Sequence, residues 1–458
     1  MNSKKIYEGK KVVVLGLARS GEAAAILLHK LGAQIIISDQ KDEEQQREIA
    51  SRLKENYPNI SFYLGGHPEG IFNGADLVVI SPGVPYNIPI LEKVRKNGIP
   101  VIGEIELAYG VCRAPIIAIT GTKGKSTTST LTGQILSRRP AGKVVVAGNI
   151  GLPLSNYVLD LNESDLLVLE ISSFQLETTV NFKPKVSVIL NIMQDHMDRH
   201  SDMDEYIKAK YRIFANQTSD DYTILNAENP LTSLCESYTK GEAILFSSKR
   251  KLRKGIYVEN DKIVANIEKP LPICNVNEIK IPGRHNLENV LAATAISVIY
   301  DIPPEIISEV VRNFKGIEHA LEFVGQVNGI SFINDTKATN VLSLKAALES
   351  VNSNIILIIG GRDKGNDYTP IMHLIQQKVK QLIIIGESAD KIQKSIGNLT
   401  NSYRASSMEE AVYKAYETAS PGDSVLLSPA CASFDMFRDY AERGKIFKEI
   451  VSKIIKGA

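Results

Sequence analysis

The sequence IIAITGTKGKSTTST, residues 116 to 130, decides the fold of the central part of the chain. An apolar run of strand length leads into a turn that contains Gly121 and Gly124, and a segment rich in serine and threonine then follows. The glycines let the backbone bend so that several N–H groups point at one anion, and Lys125 adds a positive charge. The stretch therefore predicts a strand, a phosphate-binding loop and the start of a helix.

A nucleoside triphosphate with Mg²⁺ is the ligand that this loop predicts, because the hydroxyl of Ser126 or Thr127 is placed to reach the metal. Ile119 stands where the strict Walker pattern has glycine, so the loop is a variant. The alternative is a surface turn that contains glycine and lysine by chance. The residues predicted to contact the nucleotide are Gly121, Thr122, Lys123, Gly124, Lys125, Ser126 and Thr127.

Composition narrows the class of protein. The 458 residues suffice for about three domains, and 53 Lys and Arg residues balance 52 Asp and Glu residues. This balance favours small molecules over nucleic acid or an anionic membrane as partners. The four cysteines form no CxxC pair, which argues against structural zinc and a disulfide scaffold. With neither a signal peptide nor a membrane span visible, we expect a cytoplasmic protein, and we expect it to be a monomer.

Short β-branched runs alternate with helical patterns along the chain, as in Val12–Leu15, Ile116–Ile119 and Ile355–Ile359. Such alternation predicts βαβ units, parallel sheets and an α/β fold. The rhythm restarts twice, which predicts three domains: residues 1–108, 109–315 and 316–458. We expect a Rossmann-like N-terminal domain, a central P-loop ATPase α/β domain with a small β insertion at about 240 to 282, and a Rossmann-like C-terminal domain.

The first predicted domain begins with KVVVLGLARSG, in which Gly16 and Gly21 follow a strand as in a dinucleotide fingerprint. Ala18 replaces the second glycine of that fingerprint. Asp39, at the end of the next strand, is placed to accept a hydrogen bond from a ribose or uracil group. The alternative is that the glycines serve only turns and that Asp39 caps a helix.

Polar residues follow several strands of the central domain, namely Asn149, Glu170 and the pair Asp195 and His196. Strand ends converge at one edge of a parallel sheet, so these side chains are expected near the phosphate loop. Glu170 offers a hard oxygen to Mg²⁺, and His196 a nitrogen to metal or substrate. A histidine at a helix start is the alternative for His196. Lys210, judged from its helical pattern alone, is predicted to be a solvated lysine.

The central and C-terminal parts of the chain contain, in order, the motifs ITGTKGKSTT, GNIG, EISSFQLE, NIMQDHMDRH, YIKAKYRIF, PGRHNLENVLAA, FINDTKATN, GGRDKGNDY and LSPACASFDMF. In this combination the sequence resembles the Mur ligases of bacterial cell-wall synthesis. Three of the motifs, SSFQLE, NDTKATN and SPACASFD, are similar to those of the branch that adds D-glutamate.

The resemblance implies an N-terminal domain that holds the UDP part of the substrate, a central ATPase domain, and a C-terminal domain that closes over ATP and glutamate. It implies that ATP phosphorylates the carboxylate of UDP-N-acetylmuramoyl-L-alanine and that the amine of D-glutamate attacks the acyl phosphate. A folylpolyglutamate-type ligase and a homologue that adds L-glutamate stay open as alternatives. A nicotinamide dehydrogenase and a non-enzymatic nucleotide switch are the alternatives from other classes.

The resemblance also implies roles for single residues. Lys125 contacts the nucleotide phosphates, Ser126 (or Thr127) and Glu170 bind one Mg²⁺, and His196 with a carbamylated Lys210 binds a second. Asn286, Asn289 and Asp335 lie near the adenosine. The residues implied for D-glutamate are Lys337, Thr339, Lys364, Ser433 and Tyr440, although Lys337 and Lys364 taken alone are typical surface lysines. The residues implied for the UDP substrate are Arg19, Ser20, Asp39, Ser81, Gly83 and, nearer the muramoyl-alanine end, Asn149.

Two residues depart from the family pattern as the resemblance presents it. Ala320 follows His319 where arginine is common, and Lys123 stands in the loop where asparagine is more usual. We predict that Lys123 supplies part of the positive charge that Ala320 removes.

Overall fold

The computed structural model describes residues 6–195, 199–281, 283–351, 353–363 and 365–457 of the chain, without the side chains of residues 45 and 342. The chain divides into two compact units, Met1–Glu278 with His285–Arg312, and Ile279–Arg284 with Asn313–Ala458. None of the helices in the described ranges has both the length and the apolar composition that crossing a bilayer requires.

The first sheet has the strand order β3-β2-β1-β4-β5, and all of its strand pairs are parallel. Apolar β-branched residues fill its strands because both faces of a parallel sheet are buried. Its elements are β1 (Lys11–Leu15), α1 (Arg19–Lys30), β2 (Gln34–Asp39), α2 (Glu44–Asn56), β3 (Ser61–Leu64), β4 (Leu77–Ile80), α3 (Pro89–Lys96), β5 (Val101–Gly103) and α4 (Glu104–Tyr109).

The second sheet begins with β6 (Ile116–Thr120), whose five residues are all buried. Its strand order is β14-β13-β12-β11-β10-β9-β6-β8-β7. The elements after β6 are α5 (Lys125–Leu136), β7 (Val144–Gly148), β8 (Leu166–Glu170), α6 (Ser173–Leu176), β9 (Val186–Ile189), α7 (Met203–Tyr211), β10 (Tyr222–Asn226), α8 (Pro230–Ser233), β11 (Glu242–Ser247), β12 (Gly255–Glu259), β13 (Lys262–Asn266), β14 (Pro270–Asn275), α9 (Arg284–Ile299) and α10 (Pro304–Asn313).

Two buried glutamates of α4 join the first sheet to the second within one compact unit. Oε1 of Glu104 accepts a hydrogen bond from the backbone N–H of Ser155 at 2.6 Å, and burial raises the pKa of Glu104. Glu106 accepts hydrogen bonds from the three backbone N–H groups of residues 180–182. Separating the two parts would break these buried hydrogen bonds and expose the apolar surface around them to water, which is costly. The first two predicted domains therefore pack as one unit.

The third sheet has the order β15-β16-β20-β17-β18-β19, and it is parallel except for the β15–β16 pair. Its elements are β15 (Glu322–Val327), β16 (Ile330–Asn334), α11 (Val341–Ser350), β17 (Ile355–Gly360), α12 (Met372–Lys378), β18 (Val379–Ile385), α13 (Ala389–Ile396), β19 (Asn401–Ala405), α14 (Met408–Thr418), β20 (Ser424–Leu427) and α15 (Tyr440–Gly457).

The predicted α/β architecture with parallel sheets is confirmed. Each sheet falls within one predicted domain, while the boundaries themselves stay predictions. The segment expected as a small β insertion does form strands. These strands extend the second sheet at one edge. β11 pairs with β10 and β12 pairs with β11, both in parallel. The β12–β13 and β13–β14 pairs are antiparallel.

Candidate active site

The predicted phosphate loop lies between β6 and α5, as the sequence indicates. Gly124 has a φ of +87° directly before the helix, and a Cβ there would come within 2.2 Å of the Asn289 side-chain oxygen. Only glycine satisfies both requirements. The Nζ of Lys125 donates to the carbonyl oxygens of Gly121 and Thr122 at 2.8 and 3.0 Å, so the amine is folded back over the loop. Lys123 is exposed, and Ser126 and Thr127 are half-buried in the first turn of α5.

Asn191, which the sequence analysis did not single out, clamps this loop. Its side-chain oxygen accepts from the backbone N–H of Lys123 at 2.9 Å, and its side-chain amide donates to the Lys123 carbonyl at 3.0 Å. The Asn191 carbonyl also accepts from the N–H of Thr122. These bonds fix the backbone whose N–H groups would face phosphate. Its position shortly after β9, inside the motif NIMQDHMDRH, was the sequence feature that could have identified it.

A tyrosine supports the same loop from α7. The hydroxyl of Tyr206 lies 3.0 Å from the hydroxyl of Thr122, which also bonds to the backbone of Met193. Burial raises the pKa of Tyr206 to about 12. The phenol therefore keeps its proton at neutral pH and can hydrogen-bond to Thr122.

Glu170 ends β8 beside the strand that enters the loop, since Glu170 pairs in register with Ile119. Its side chain is buried, and Oε1 accepts from the side-chain amide of Asn149 at 2.7 Å. Oε2 is also sealed from solvent and has no hydrogen-bond partner among the described residues. A buried carboxyl oxygen without a donor is costly, and a hard cation would satisfy it. The site thus contains an oxygen of the type Mg²⁺ requires.

Lys210 is buried on α7, so the interpretation as a solvated lysine is wrong. Only 1% of its surface is exposed, because its side chain lies on the inward face of α7, where Nζ is 4.5 Å from the centre of the Tyr206 ring. Burial, reinforced by the charge of Lys125, holds the pKa of Lys210 well below its usual range, and Asp195 opposes this shift. Its surroundings therefore disfavour the charged form of this amine, which lies near the phosphate loop. His196, the other predicted metal ligand, lies outside the described residues.

His200 is a second histidine of the DHMDRH motif, and it was not predicted as a site residue. Its ring is buried, with Nε2 3.1 Å from the hydroxyl of Ser173 and Nδ1 3.3 Å from Oε1 of Glu177. The ring of Phe174 stacks against it. His200 therefore fixes the start of α6, which carries the SSFQLE motif, next to the segment that precedes α7.

The two asparagines predicted near adenosine lie on α9, which packs against the phosphate loop. Asn289 accepts from the Thr128 hydroxyl at 3.3 Å and donates to the side-chain oxygen of Asn286 at 3.2 Å. The neighbouring His285 has its pKa lowered by burial, with a smaller contribution from the charge of Lys123. The structure thus brings Asn286 and Asn289 to the phosphate loop.

The residues predicted for the UDP substrate line one cavity of about 950 Å³ at the carboxyl ends of the first sheet. A volume of this size falls in the range of small-molecule sites. The Ser81 hydroxyl donates to the carbonyl of Gly16 at 2.9 Å and so joins the turns after β1 and β4. The predicted residues that line this cavity are Arg19, Ser20, Asp39, Ser81, Gly83 and Asn149.

Asp39 braces the first turn of this cavity and caps no helix. Its Oδ2 accepts from the backbone N–H of Leu17 at 2.5 Å, and its Oδ1 accepts from the N–H of Lys41 at 2.8 Å. The residue before α2 is Glu43, and its side chain makes no capping bond. The alternative of Asp39 as a helix cap is therefore wrong.

The second unit holds Asp335, which was predicted near adenosine. Its Oδ1 accepts from the backbone N–H of Leu321 at 3.1 Å, and its Oδ2 accepts from the Ser428 hydroxyl at 2.7 Å. Burial raises its pKa to about 7. In this structure the carboxyl group joins the turns that follow β16 and β20.

Arg443 ties the same two turns together, and the sequence analysis missed it. It is 2% exposed, and it donates to the hydroxyl and carbonyl of Thr336 and to the carbonyls of Cys431 and Ala432. Burial lowers its pKa to about 10. Arg443 lies in a helical segment with many charged residues, so its sequence context did not predict that its side chain is buried. The residues predicted to bind glutamate lie near these turns. Lys337 and Thr339 are half-buried, Ser433 is buried and Tyr440 is exposed. Lys364 lies outside the described residues.

Comparisons with known proteins agree with this geometry. Family models match a Mur ligase MurD-like N-terminal domain at residues 10–103, a Mur ligase middle domain at 119–297 and a Mur ligase, glutamate ligase domain at 321–431. Two relatives carry the name UDP-N-acetylmuramoylalanine–D-glutamate ligase. The protein from Thermoanaerobacter sp. (strain X514) is 43% identical to this chain, and the protein from Clostridioides difficile (strain 630) is 42% identical to it. Each alignment covers 98% of this chain and 99% of the relative.

A solved structure shares the fold at low sequence identity. The UDP-N-acetylmuramate-alanine ligase MurC from Thermotoga maritima is 19% identical, with a TM-score of 0.58 over 98% of this chain and 100% of that chain. With three consecutive family models and relatives above 40% identity over nearly the whole length, the chain belongs to the Mur ligase family.

Proposed function

We propose that the protein is an ATP-dependent ligase that joins D-glutamate to UDP-N-acetylmuramoyl-L-alanine in the synthesis of peptidoglycan precursors. The observation that carries the proposal is the phosphate loop with the buried side chains of Glu170 and Lys210 beside it. The adjoining cavity, which Asn149 lines from the central sheet, has the size for a nucleotide-linked substrate. The name of the curated relatives supports D-glutamate as the amino acid.

The described residues fit Mg²⁺ bound beside the nucleotide. Glu170 contributes its unpaired Oε2, and the hydroxyl of Ser126 (or Thr127) would complete one set of ligands. His196 and a carbamylated Lys210 would form a second set, with His196 proposed from its motif alone. Bound Mg²⁺ would neutralise charge on the phosphates as the two anions approach.

Carbamylation of Lys210 follows from the chemistry of its buried amine. A neutral amine attacks CO₂, forming an N–C bond and losing one proton, and the product carries a carboxylate. Burial lowers the pKa of Lys210 and so favours the reactive neutral form of the amine. The carbamate would give the site a second hard oxygen donor, which an ordinary lysine cannot supply.

The reaction uses ATP to convert a poor electrophile into a good one. A carboxylate oxygen of the substrate attacks the γ-phosphorus, the bond to the bridging oxygen breaks, and ADP leaves. The amine of D-glutamate then attacks the acyl carbon, and phosphate leaves with the former carboxylate oxygen while the amine loses a proton. Lys125 and the N–H groups of the loop hold the phosphates in position.

Residues of the two units have separate binding tasks in this proposal. The cavity residues Arg19, Ser20, Asp39, Ser81 and Gly83 hold the UDP part, and Asn286 and Asn289 lie toward the adenosine. In the second unit, Asp335 lies near the adenosine, and Lys337, Thr339, Lys364, Ser433 and Tyr440 bind the carboxylates of D-glutamate.

We also propose that the protein works as a monomer in the cytoplasm. The four cysteines are unpaired, as expected in a reducing compartment. Candidate residues for the three substrates all lie on one chain, so no second copy is needed to complete the set.

The test is phosphate release by the purified protein with UDP-N-acetylmuramoyl-L-alanine, ATP, Mg²⁺ and either glutamate enantiomer. We expect turnover with D-glutamate and none when any substrate is omitted. Turnover with L-glutamate only would identify the alternative amide ligase. ATP binding without turnover in the presence of D-glutamate would identify a nucleotide switch and contradict the proposal.

A further inference from the structure

The cavity of the first sheet runs from the edge strands to the central sheet. At one end it is lined by Asn149 and Gln175, which follow strands of the central sheet, and at the other by Gln46 and His67, which follow β2 and β3. The order β3-β2-β1-β4 places this second end at the far side of the first sheet. In the proposed reaction the substrate carboxylate must reach the phosphate loop. The nucleobase, at the opposite end of the substrate, therefore lies toward Gln46.

The side chain of Gln46 is buried without a hydrogen bond. It is 7% exposed on the first turn of α2, and its Oε1 is sealed from solvent without a partner among the described residues. Its Nε2 donates no hydrogen bond within the described ranges either. A buried amide oxygen without a donor costs free energy that a ligand can recover.

Two neighbouring polar residues at this end of the cavity, Asp39 and His67, already have partners. Both carboxyl oxygens of Asp39 accept backbone N–H groups, and Nδ1 of His67 lies 2.8 Å from the hydroxyl of Ser38. Burial lowers the pKa of His67, although Asp39 opposes this, so its ring is neutral at neutral pH. Gln46 therefore differs from these neighbours in having a donor and an acceptor still unused.

We propose that the carboxamide of Gln46 binds the imide edge of the substrate's uracil base. Uracil offers an N3–H donor beside carbonyl acceptors, and a carboxamide presents the matching acceptor and donor in one plane. The inference rests on the proposed function, since it assigns the nucleotide to this cavity. It adds a base-recognising residue that the sequence motifs do not indicate.

The experiment measures UDP binding by calorimetry to the full-length protein and to Gln46→Met, which keeps the length of the side chain without its polar atoms. We expect the Kd for UDP to rise about 10-fold to 30-fold, because two hydrogen bonds are lost. The Tm of the variant without ligand should stay equal or rise, since no hydrogen bond within the described residues is broken. Gln34→Met is the matched control, because Gln34 is exposed on β2 and does not line the cavity.

A second ligand identifies the part of the nucleotide that Gln46 contacts. N3-methyluridine 5′-diphosphate lacks the N3–H donor, so the wild-type protein should bind it about 10-fold more weakly than UDP. Gln46→Met should bind the two ligands with nearly equal affinity. This comparison stays informative even if the variant is less stable, because discrimination by the wild-type protein is measured independently.

The outcomes separate the inference from the proposed function. If the wild-type protein does not bind UDP at all, the assignment of the nucleotide to this cavity fails. If it binds UDP and the methylated ligand equally, or if Gln46→Met binds UDP as the wild type does, the role of Gln46 is overturned while the proposed function stands. A loss of UDP affinity in Gln46→Met with unchanged discrimination against the methylated ligand would also overturn it.

Discussion

The phosphate loop of the first unit and the paired turns of the second unit are held in different ways. The loop is fixed by neutral groups, namely the amide of Asn191 and the hydroxyl of Tyr206. Beside them, Lys125 donates to two loop carbonyls, and Oε2 of Glu170 has no partner among the described residues. The turns after β16 and β20 are joined by two buried ionisable groups, Asp335 and Arg443.

The difference shows where charge serves chemistry and where it serves structure. In the first unit Oε2 of Glu170 is buried without a partner among the described residues, which suits an oxygen that binds a metal. In the second unit the bonds of Asp335 and Arg443 are made within the protein, so these groups shape the backbone on which Lys337 and Ser433 stand. Substitutions at the loop should therefore change activity, and substitutions at the buried pair of turns should change stability.

The largest effect is expected for Lys210→Ala. If the buried amine carries a carbamate that binds Mg²⁺, turnover should fall about 10³-fold, the loss of a key electrostatic contact. Short carboxylic acids such as acetate should restore part of the activity by supplying the missing oxygen. Steady-state phosphate release measures both effects.

Lys208→Ala is the control for Lys210, since Lys208 lies on the same helix and is exposed. It should keep wild-type turnover. Full activity in Lys210→Ala would rule out a role for this amine, and loss without rescue at any acid concentration would argue against the carbamate.

Arg443→Ala tests the structural side of the comparison. Removal of the guanidinium leaves the carbonyls of Thr336 and Cys431 buried without a donor among the described residues, so the free energy of unfolding should drop by about 3 kcal/mol. Urea denaturation measures the change. Arg438→Ala, at an exposed position just before α15, should change it little. Equal stability of the two variants would remove Arg443 from its structural role.

Asp335 should make stability depend on pH in a direction opposite to that of a salt-bridged carboxylate. Its pKa is about 7 in the folded chain and lower when unfolded, so its stabilising contribution is present at low pH and is lost as the pH rises through 7. Asp335→Asn cannot ionise. Relative to the wild type, this variant should gain on the order of 3 kcal/mol in unfolding free energy between pH 4.5 and about 8.

Urea denaturation at the two pH values measures this relative gain, with Asp204→Asn, exposed at the start of α7, as the control. A constant difference between Asp335→Asn and the wild type across this pH range would show that the Asp335 carboxyl is not buried as described.

Asn191→Ala probes the neutral clamp on the loop. Two hydrogen bonds to the backbone of Lys123 are lost, so the KM for ATP should rise about 10-fold, while the KM for D-glutamate should stay unchanged. Kinetics at varied ATP measures this. Asn398→Ala, an exposed position, serves as the control. A fall in stability with normal ATP kinetics would give Asn191 a purely structural role.

The smallest effect is expected at Lys123, which is exposed in the loop. Lys123→Asn removes one solvated positive charge near the phosphates, and the KM for ATP should rise about 2-fold to 5-fold, more at low salt than at high salt. An unchanged KM for ATP at low ionic strength would refute the idea that Lys123 supplies part of the positive charge that is missing at Ala320.

Local patterns predicted the parts of the site that depend on nearby residues in the chain. The strand, the glycine turn and the Lys125 helix start are adjacent in sequence, and Glu170 follows a buried strand in register with β6. Their physical requirements are short-range, so periodicity and turn residues reveal them.

Long-range contacts set the limit of such prediction. Lys210 and Arg443 sit in helical segments with many charged residues, and nothing in the pattern shows that these two side chains face inward. Asn191 was visible in a motif, yet its two bonds to Lys123 depend on how β9 and the loop meet in space. Gln46 became a candidate only through its burial in the cavity.

The central claim is that the chain activates a carboxylate by phosphorylation before the amide forms. UDP-N-acetylmuramoyl-L-alanine labelled with oxygen-18 in its alanine carboxylate tests this directly, with mass spectrometry of the phosphate released during turnover with D-glutamate. We predict that each phosphate carries one labelled oxygen, since the leaving group takes the former carboxylate oxygen with it. Unlabelled phosphate with normal product formation would contradict the acyl-phosphate mechanism.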